Sequence, residues 1–316
     1  MEKLETALGL SLVEVTEKAA LAAGKWLGLG ERKAGDRAAV DAMRKAFGCV
    51  PIDGVVVIGE GEKDQAPMLF NGEKVGRGGG ALVDIAVDPV EGTNLLASGQ
   101  PNAIAVLGVA PRGAMYDFGP SYYMEKIVVP GSARGVVDMD APVGDNLFQI
   151  ARALGKKVAE LTVFVLDKPR HLSLVKKIRQ AGAAVQLHTD GDVAGALMAV
   201  DPEVCVDVMM GTGGTPEGVI SACAIKAVGG EIYGRLDPQM AEERCALEAR
   251  GADLKRVLTA DTMVRGEDLF FAATGISGGT FLSGVRYLGG GAVTHSMLLE
   301  GGTGNIRYLT TRHRMV

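Results

Sequence analysis

The sequence predicts an α/β fold, and three observations carry that reading. Apolar strand-like and helix-like runs alternate through the second half of the chain, the signature of right-handed crossovers over a largely parallel sheet. Hydrophobic residues make up 47% of the 316, enough to fill a substantial core. The 45 glycines, against 12 prolines, follow no repeat period and are spread among apolar runs, as tight strand-to-helix turns require.

In chain order, Leu12, Val15, Ala19, Ala22 and Trp26 recur at helical spacing, with Glu and Lys between them, and predict an amphipathic helix over 4–27. Asp36 stands where an N-cap residue would precede a second helix over 38–47. After Asp53-Gly54 the run 55–58 predicts a buried strand that empties into Gly59-Glu60-Gly61-Glu62. The run 81–87 predicts another, ended by Asp88-Pro89. Strands over 103–109 and 124–129 and a helix over 146–154 complete a first half, 1–150, which carries most of the acidic turns. The second half, 151–316, reads as strand 161–166, helix 172–181, strand 184–187, helix 193–200, strand 204–210 and helix 216–228. Further strands follow at 269–274, 280–287 and 292–299. No repeat or Pro/Ser-rich linker separates the halves, which are expected to pack into one layered body.

A net charge of -5 and the lack of a dense Lys/Arg run speak against a nucleic-acid partner. An anionic substrate would need bound cations, helix N-termini or a few placed bases. Cys49, Cys205, Cys223 and Cys245 form no Cys-x-x-Cys pair, so buried free thiols in a reducing cytosol are expected. Glu14, Glu17 and Lys18 interrupt the apolar run from Leu8, unlike a signal peptide, and no stretch is apolar enough to span a bilayer. A cytoplasmic protein without a membrane partner is the expectation. His171, His188, His295 and His313 lack metal-ligand spacing, and no Gly-x-Ser-x-Gly elbow occurs, which disfavours nucleophilic serine or cysteine chemistry.

The sharpest local signal is Val83 to Thr93, where a strand runs into Asp88-Pro89-Val90-Glu91-Gly92-Thr93. Proline is expected to end the ladder and Gly92 to let the backbone approach a ligand. Asp88 and Glu91 can share a hard cation, which Mg²⁺ or Mn²⁺ meets through oxygen, and Thr93 can hold a water or a phosphate oxygen. The same residues also suit a polar turn capping a short helix at 94–97. Two other segments, Gly59 to Glu62 and Gly213-Gly214-Thr215-Pro216-Glu217-Gly218, likewise set acids just beyond apolar strands. Ligand crevices in α/β sheets lie outside the carboxyl ends of strands, so three such turns can converge on one pocket. Converging carboxylates would partly neutralise themselves unless cations held them ionised. Thr215, Pro216 and Glu217 also read as an N-cap, N1 and first-turn acid with no function required.

Gly76 to Ala81 fits the G-x-G-x-x-A spacing but precedes a strand instead of following one, so it reads as a connecting loop and not a nucleotide site. Lys168-Pro169-Arg170-His171 ends one strand and Asp190-Gly191-Asp192 ends the next, on the same edge of the second-half sheet. Basic groups there suit a phosphate and paired aspartates suit sugar hydroxyls, while either segment could also be a solvated turn. Tyr123 suits core or rim packing as well as a ligand.

Taken together, Ala34-Gly35-Asp36, Val57 to Glu62, Ala66-Pro67-Met68-Leu69, Asp84 to Thr93, Tyr123-Met124-Glu125-Lys126, Lys168 to His171, Asp190 to Asp192 and Gly213 to Gly218 resemble the class II fructose-1,6-bisphosphatases, the GlpX type. That family sits within the lithium-sensitive, metal-dependent sugar and inositol phosphatases. Asp-Pro-x-(Asp/Glu)-Gly-Thr marks the superfamily; Glu91, Gly-Glu-Gly-Glu and Pro-Glu-Gly narrow it to this class. Departures are slight, namely the glycine-rich loop Arg77 to Gly80, Pro101 and Asn71.

The resemblance implies a layered α-β-α-β-α sandwich, a homo-oligomer, tetramer or dimer, and two or more Mn²⁺ or Mg²⁺ ions per site. It makes Asp36, Glu60, Asp88, Glu91 and Glu217 metal ligands. Glu91, Gly92, Thr93, Tyr123, Lys168, Pro169, Arg170, Asp190, Gly191, Asp192 and Gly214 become substrate contacts. Asp36, Glu60 and Thr93 would be catalytic, with Thr93 and Asp36 orienting and deprotonating the attacking water. The expected reaction is hydrolysis of the 1-phosphate of fructose 1,6-bisphosphate to fructose 6-phosphate and phosphate. Activity on sedoheptulose 1,7-bisphosphate is a further option, and a non-catalytic sugar-phosphate sensor on the same scaffold is the rival from another class.

Overall fold

The computed structural model describes residues 4–61 and 68–314. Glu62, Ala66 and Pro67 of the motifs above lie outside them. The chain forms two compact units, Met1–Met115 with Arg265–Val316, and Tyr116–Val264. The division is therefore not a cut at 150: the first unit's sheet draws its last strands from the end of the chain.

The first unit opens with α1 (Thr6–Ala23), a short 3-10 turn (Gly24–Trp26) and α2 (Arg32–Phe47). β1 (Ile52–Ile58), β2 (Lys74–Val75), β3 (Ala81–Glu91), α3 (Thr93–Ser98) and β4 (Ile104–Pro111) follow. The second unit is β5 (Tyr123–Val129), α4 (Val143–Ala153), β6 (Thr162–Leu166), α5 (Leu172–Ala181), β7 (Ala184–His188), α6 (Asp192–Met198), β8 (Val208–Gly214), α7 (Thr215–Ala227), β9 (Glu231–Leu236), α8 (Ala241–Ala249) and α9 (Ala260–Met263). The chain then returns to the first unit as β10 (Phe270–Gly275), β11 (Arg286–Leu288), β12 (Gly291–Glu300) and β13 (Asn305–Arg314).

The first sheet has the order β11-β12-β10-β4-β3-β1-β2, with β13 on the edge of β12. Its core is made where α1 and α2 lay Leu8, Leu12, Val15, Met43 and Phe47 on Ile52, Ile85, Leu107, Phe270 and Leu298. Burial of side chains this size contributes roughly 1.5–3 kcal/mol each and fixes the helices over the sheet. The second sheet has the order β7-β6-β8-β5-β9. β7, β6, β8 and β9 run in one direction and β5 alone opposes them, so its pairs with β8 and β9 are antiparallel and the sheet is mixed, less parallel than its alternating sequence predicts. Leu147 and Ile150 of α4 and Val175 and Ile178 of α5 pack with Ile127, Val163, Val165 and Met210 on one face of it.

Several boundaries move for physical reasons. α2 begins at Arg32, a full turn before the expected cap, so Asp36 is a helical residue rather than an N-cap. Gly35 does not interrupt it, because the helix needs a bare position there: a Cβ would lie 2.7 Å from Leu96 Cδ2. β3 does not stop at Pro89 but runs to Glu91, its pairing to β4 slipping between Asp88 and Glu91. A register irregularity is where a sheet tolerates a proline. The expected strand 280–287 shrinks to Arg286–Leu288, while β9, α8 and β13 are additions. Three thiols, Cys49, Cys205 and Cys245, are exposed, and only Cys223 is buried; all four are free.

Candidate active site

In the first unit the topology itself gathers acids. β1 and β3 are parallel neighbours with Ile58 opposite Ala86. Glu60 and Asp88, each two residues further on, therefore leave the same edge of the sheet, followed on β3 by Glu91. Glu91 is 3% exposed, whereas Asp36, Glu60, Asp88 and Thr93 are half-buried. The backbone after β3 turns through Gly92 at φ +85°, a left-handed conformation glycine adopts without strain, and delivers Thr93 as the first residue of α3. The Val90 N–H donates to Asp88 Oδ1 at 3.0 Å, orienting that carboxylate. α2 is tied to this corner because Arg32 Nη1 donates to Asn94 Oδ1 at 3.2 Å and Gly35 packs on Leu96.

That packing brings Asp36 toward Glu60. Burial, and then repulsion from Asp36, push the Glu60 carboxyl up to about 7. Burial also raises Asp36, against the nearby Arg32 guanidinium, which lowers it. Two carboxyls held above their ordinary range at a strand edge are a functional signature with a physical cause.

In the second unit, β6, β7 and β8 end on one edge, and the antiparallel β5 starts there. Lys168 Nζ donates to the Thr189 carbonyl at 2.7 Å, joining the segments after β6 and β7. Arg170 Nε donates to the Thr212 carbonyl at 2.9 Å, and its guanidinium carbon lies 5.1 Å from the centre of the Tyr123 ring. Beneath Arg170, buried His171 bridges β6 and β8: its Nδ1 meets the Leu166 carbonyl at 2.6 Å and its Nε2 accepts from the Thr212 N–H at 2.8 Å. Gly191, at φ +101°, turns the chain so that Asp192 opens α6. Glu217 lies in the first turn of α7, whose cap position is Gly214; Thr215 is helical and its hydroxyl pairs instead with Ser121 Oγ at 2.9 Å. Burial raises the Glu217 carboxyl, with Lys126 lowering it and Asp192 and Asp190 raising it again. Glu217 Oε2 is sealed from solvent without a hydrogen-bond partner among the described residues.

Two residues that support this edge were given no role from the sequence, Lys126 being named there only within the segment Tyr123 to Lys126. Lys126 lies on β5, is 1% exposed, and is ion-paired to Asp192. Its signal was a lysine just before the apolar run Ile127-Val128-Val129 of a strand. Glu243 of α8 is 2% exposed and accepts from the Tyr122 N–H at 2.6 Å and the Tyr123 N–H at 3.1 Å, fixing the entry to β5.

Among the described residues no group of three or more Asp, Glu, His or Cys side chains forms a ready-made metal cage. The strand-end acids of the first unit still fit a hard divalent cation, being all carboxylate oxygen with Asp36 repelling Glu60.

Strand-end carboxylates on one unit and a Lys/Arg/Tyr/Asp edge on the other define an α/β protein equipped for anionic, hydroxylated ligands. The family of bacterial fructose-1,6-bisphosphatases, glpX-encoded, matches residues 6–313, and the chain belongs to that family. It is 44% identical over 319 aligned positions to fructose-1,6-bisphosphatase 1 class 2 of Escherichia coli K12, covering 97% of this chain and 95% of the relative. The same identity and coverages hold for fructose-1,6-bisphosphatase class 2 of Shigella flexneri. Among solved structures, an inositol monophosphatase from Anabaena overlays with a TM-score of 0.34 at 13% identity, covering 64% of this chain and 73% of the other. An extragenic suppressor from Pyrococcus furiosus gives 0.30 at 12%, covering 62% and 69%.

Proposed function

We propose that the chain hydrolyses the 1-phosphate of fructose 1,6-bisphosphate, using Mn²⁺ or Mg²⁺, as a cytoplasmic homo-oligomer. The observation that carries the reading is the placement of Glu60, Asp88 and Glu91 at adjoining ends of two parallel strands, with Asp36 brought to Glu60 by α2. Kinship with enzymes named for this activity supplies the substrate.

Asp36, Glu60, Asp88, Glu91 and Glu217 would hold the ions. When bound, divalent cations neutralise phosphate oxygens and acidify water. Thr93 orients the attacking water and Asp36 takes its proton. Lys168 and Arg170 bind the remote phosphate, with Tyr123 beneath the guanidinium, and Asp190 and Asp192 accept the sugar hydroxyls. Remote binding energy thereby becomes alignment at the reacting centre. No nucleophilic side chain is needed, since phosphoryl transfer asks mainly for positioning and charge neutralisation.

The test is phosphate release from fructose 1,6-bisphosphate with Mn²⁺, with Mg²⁺ and after chelation. Metal-dependent release is expected, and sedoheptulose 1,7-bisphosphate assayed in parallel defines the substrate range. Tight binding of the sugar phosphate by folded, metal-loaded protein without release would overturn catalysis in favour of a sensor.

A further inference from the structure

Lys126 is a costly residue to keep where it is. Its strand neighbours Met124 and Val128 are both 0% exposed, and an unpaired ammonium in such a place would be strongly destabilising. The cost is met by two partners, the Asp192 carboxylate and the Gly214 carbonyl, the latter at 2.9 Å. These partners belong to different elements, the first residue of α6 and the last of β8.

The bare backbone between them is equally specific. A Cβ on Gly213 would come within 2.1 Å of Asp192 Oδ2, and one on Gly214 within 1.7 Å of Glu217 Oε2. The end of β8 is thus glycine because carboxylates press against it. Lys126 engages Asp192 Oδ2, while Asp192 Oδ1 is sealed from solvent and has no hydrogen-bond partner among the described residues. One oxygen is anchored and the other is spare. A purely structural need would be met as well or better by apolar side chains of similar volume, since a buried ion pair is weak evidence for stability.

We propose that Lys126 is a positioning residue for the sugar: by anchoring Asp192 and the Gly214 carbonyl it holds the Asp192 carboxylate and the end of β8, and with them the Asp190–Asp192 turn, in the arrangement that receives the sugar. The inference rests on the function proposed above. It makes Lys126 and Asp192 a single unit in substrate binding, while leaving the phosphate chemistry to other residues.

The experiment compares the full-length wild type, K126M, D192N and K126M/D192N, metal-loaded, by thermal melting and by KM and kcat for fructose 1,6-bisphosphate. K126M is expected to raise KM about tenfold or more with kcat within about threefold, because it disturbs alignment of the remote sugar. The double variant should show a KM within about twofold of the worse single variant, as expected for residues that act together. A folded K126M with wild-type KM, a loss confined to kcat, or single effects that multiply in the double variant would each overturn the proposal. If K126M does not fold, the neutral pair decides: KM equal to that of D192N supports the unit, and KM tenfold above it refutes it. A wild type that releases no phosphate defeats the parent reading and this one with it, whereas an active wild type beside an unaffected K126M defeats this one alone.

Discussion

Replacing Asp36 by asparagine should stabilise the chelated protein while disabling it. Glu60, held at about 7 instead of 4.5, is favoured in its neutral form. Because the folded value lies above the unfolded one, its contribution is fully present below pH 4.5 and is lost as pH rises through about 7. The ceiling on that loss is about 3 kcal/mol, and partial exposure to solvent reduces it. Burial is the larger cause and survives the substitution; repulsion from Asp36 is the smaller and vanishes, which leaves a gain of about 1 kcal/mol. Asp36, itself raised by burial, adds to the gain with the same sign. In EDTA at pH 8, D36N should therefore melt about 2–4 °C above wild type. At pH 5, where Glu60 is protonated in both proteins, the gap should shrink to about 1 °C. With Mn²⁺ the order should invert, because wild type keeps a ligand that the variant lacks, and turnover should fall about 100-fold or more. Refutation would be a chelated D36N that melts below wild type at pH 8, or an offset that does not change with pH.

Two further substitutions probe the second unit. Gly214 has φ -65° and ψ 140°, which alanine adopts freely, so G214A should fold. Its Cβ would stand 1.7 Å from Glu217 Oε2 and must displace that carboxylate; kcat should drop about tenfold or more with little change in Tm, and a wild-type kcat would remove Glu217 from the site. R170A removes the group stacked at 5.1 Å on Tyr123 and should raise KM about tenfold while sparing kcat. Unchanged substrate dependence would take Arg170 out of the substrate site.

Elements with a strong apolar period were legible, and those formed by pairing alone were not. α5 occupies the same residues as its sequence pattern, since Val175 and Ile178 mark its buried face and Gly182, at φ +98°, stops it. β13 has no such pattern: Ile306, Tyr308 and Arg312 are exposed on one side and Arg307 and His313 half-buried on the other, so only its ladder with β12 makes it a strand. α8 buries little beyond Glu243 and Leu247, too few apolar residues to show a helical period. The acidic motifs pointed to strand ends because apolar runs preceded them, yet the sequence could not show that β1 and β3 are parallel neighbours. It also marked Asp36 and Pro89 as boundaries, when one lies inside α2 and the other beside a slip in register.

The contrast between the acids of the two units explains why Lys126 was hidden while the acidic motifs were plain. Asp36 and Glu60 are raised by burial, and the one basic group opposing the shift is Arg32, acting on Asp36. Their charge is left to be balanced by something that can come and go, which suits ions that accompany a phosphate. Asp192 instead has a covalently resident cation in Lys126, ion-paired to one of its oxygens. An exchangeable cation leaves a conspicuous sequence trace, because several acids must crowd into short turns to bind it. A resident ammonium needs only one lysine on a neighbouring strand, and one lysine beside a glutamate in a short strand announces nothing until the strands are paired.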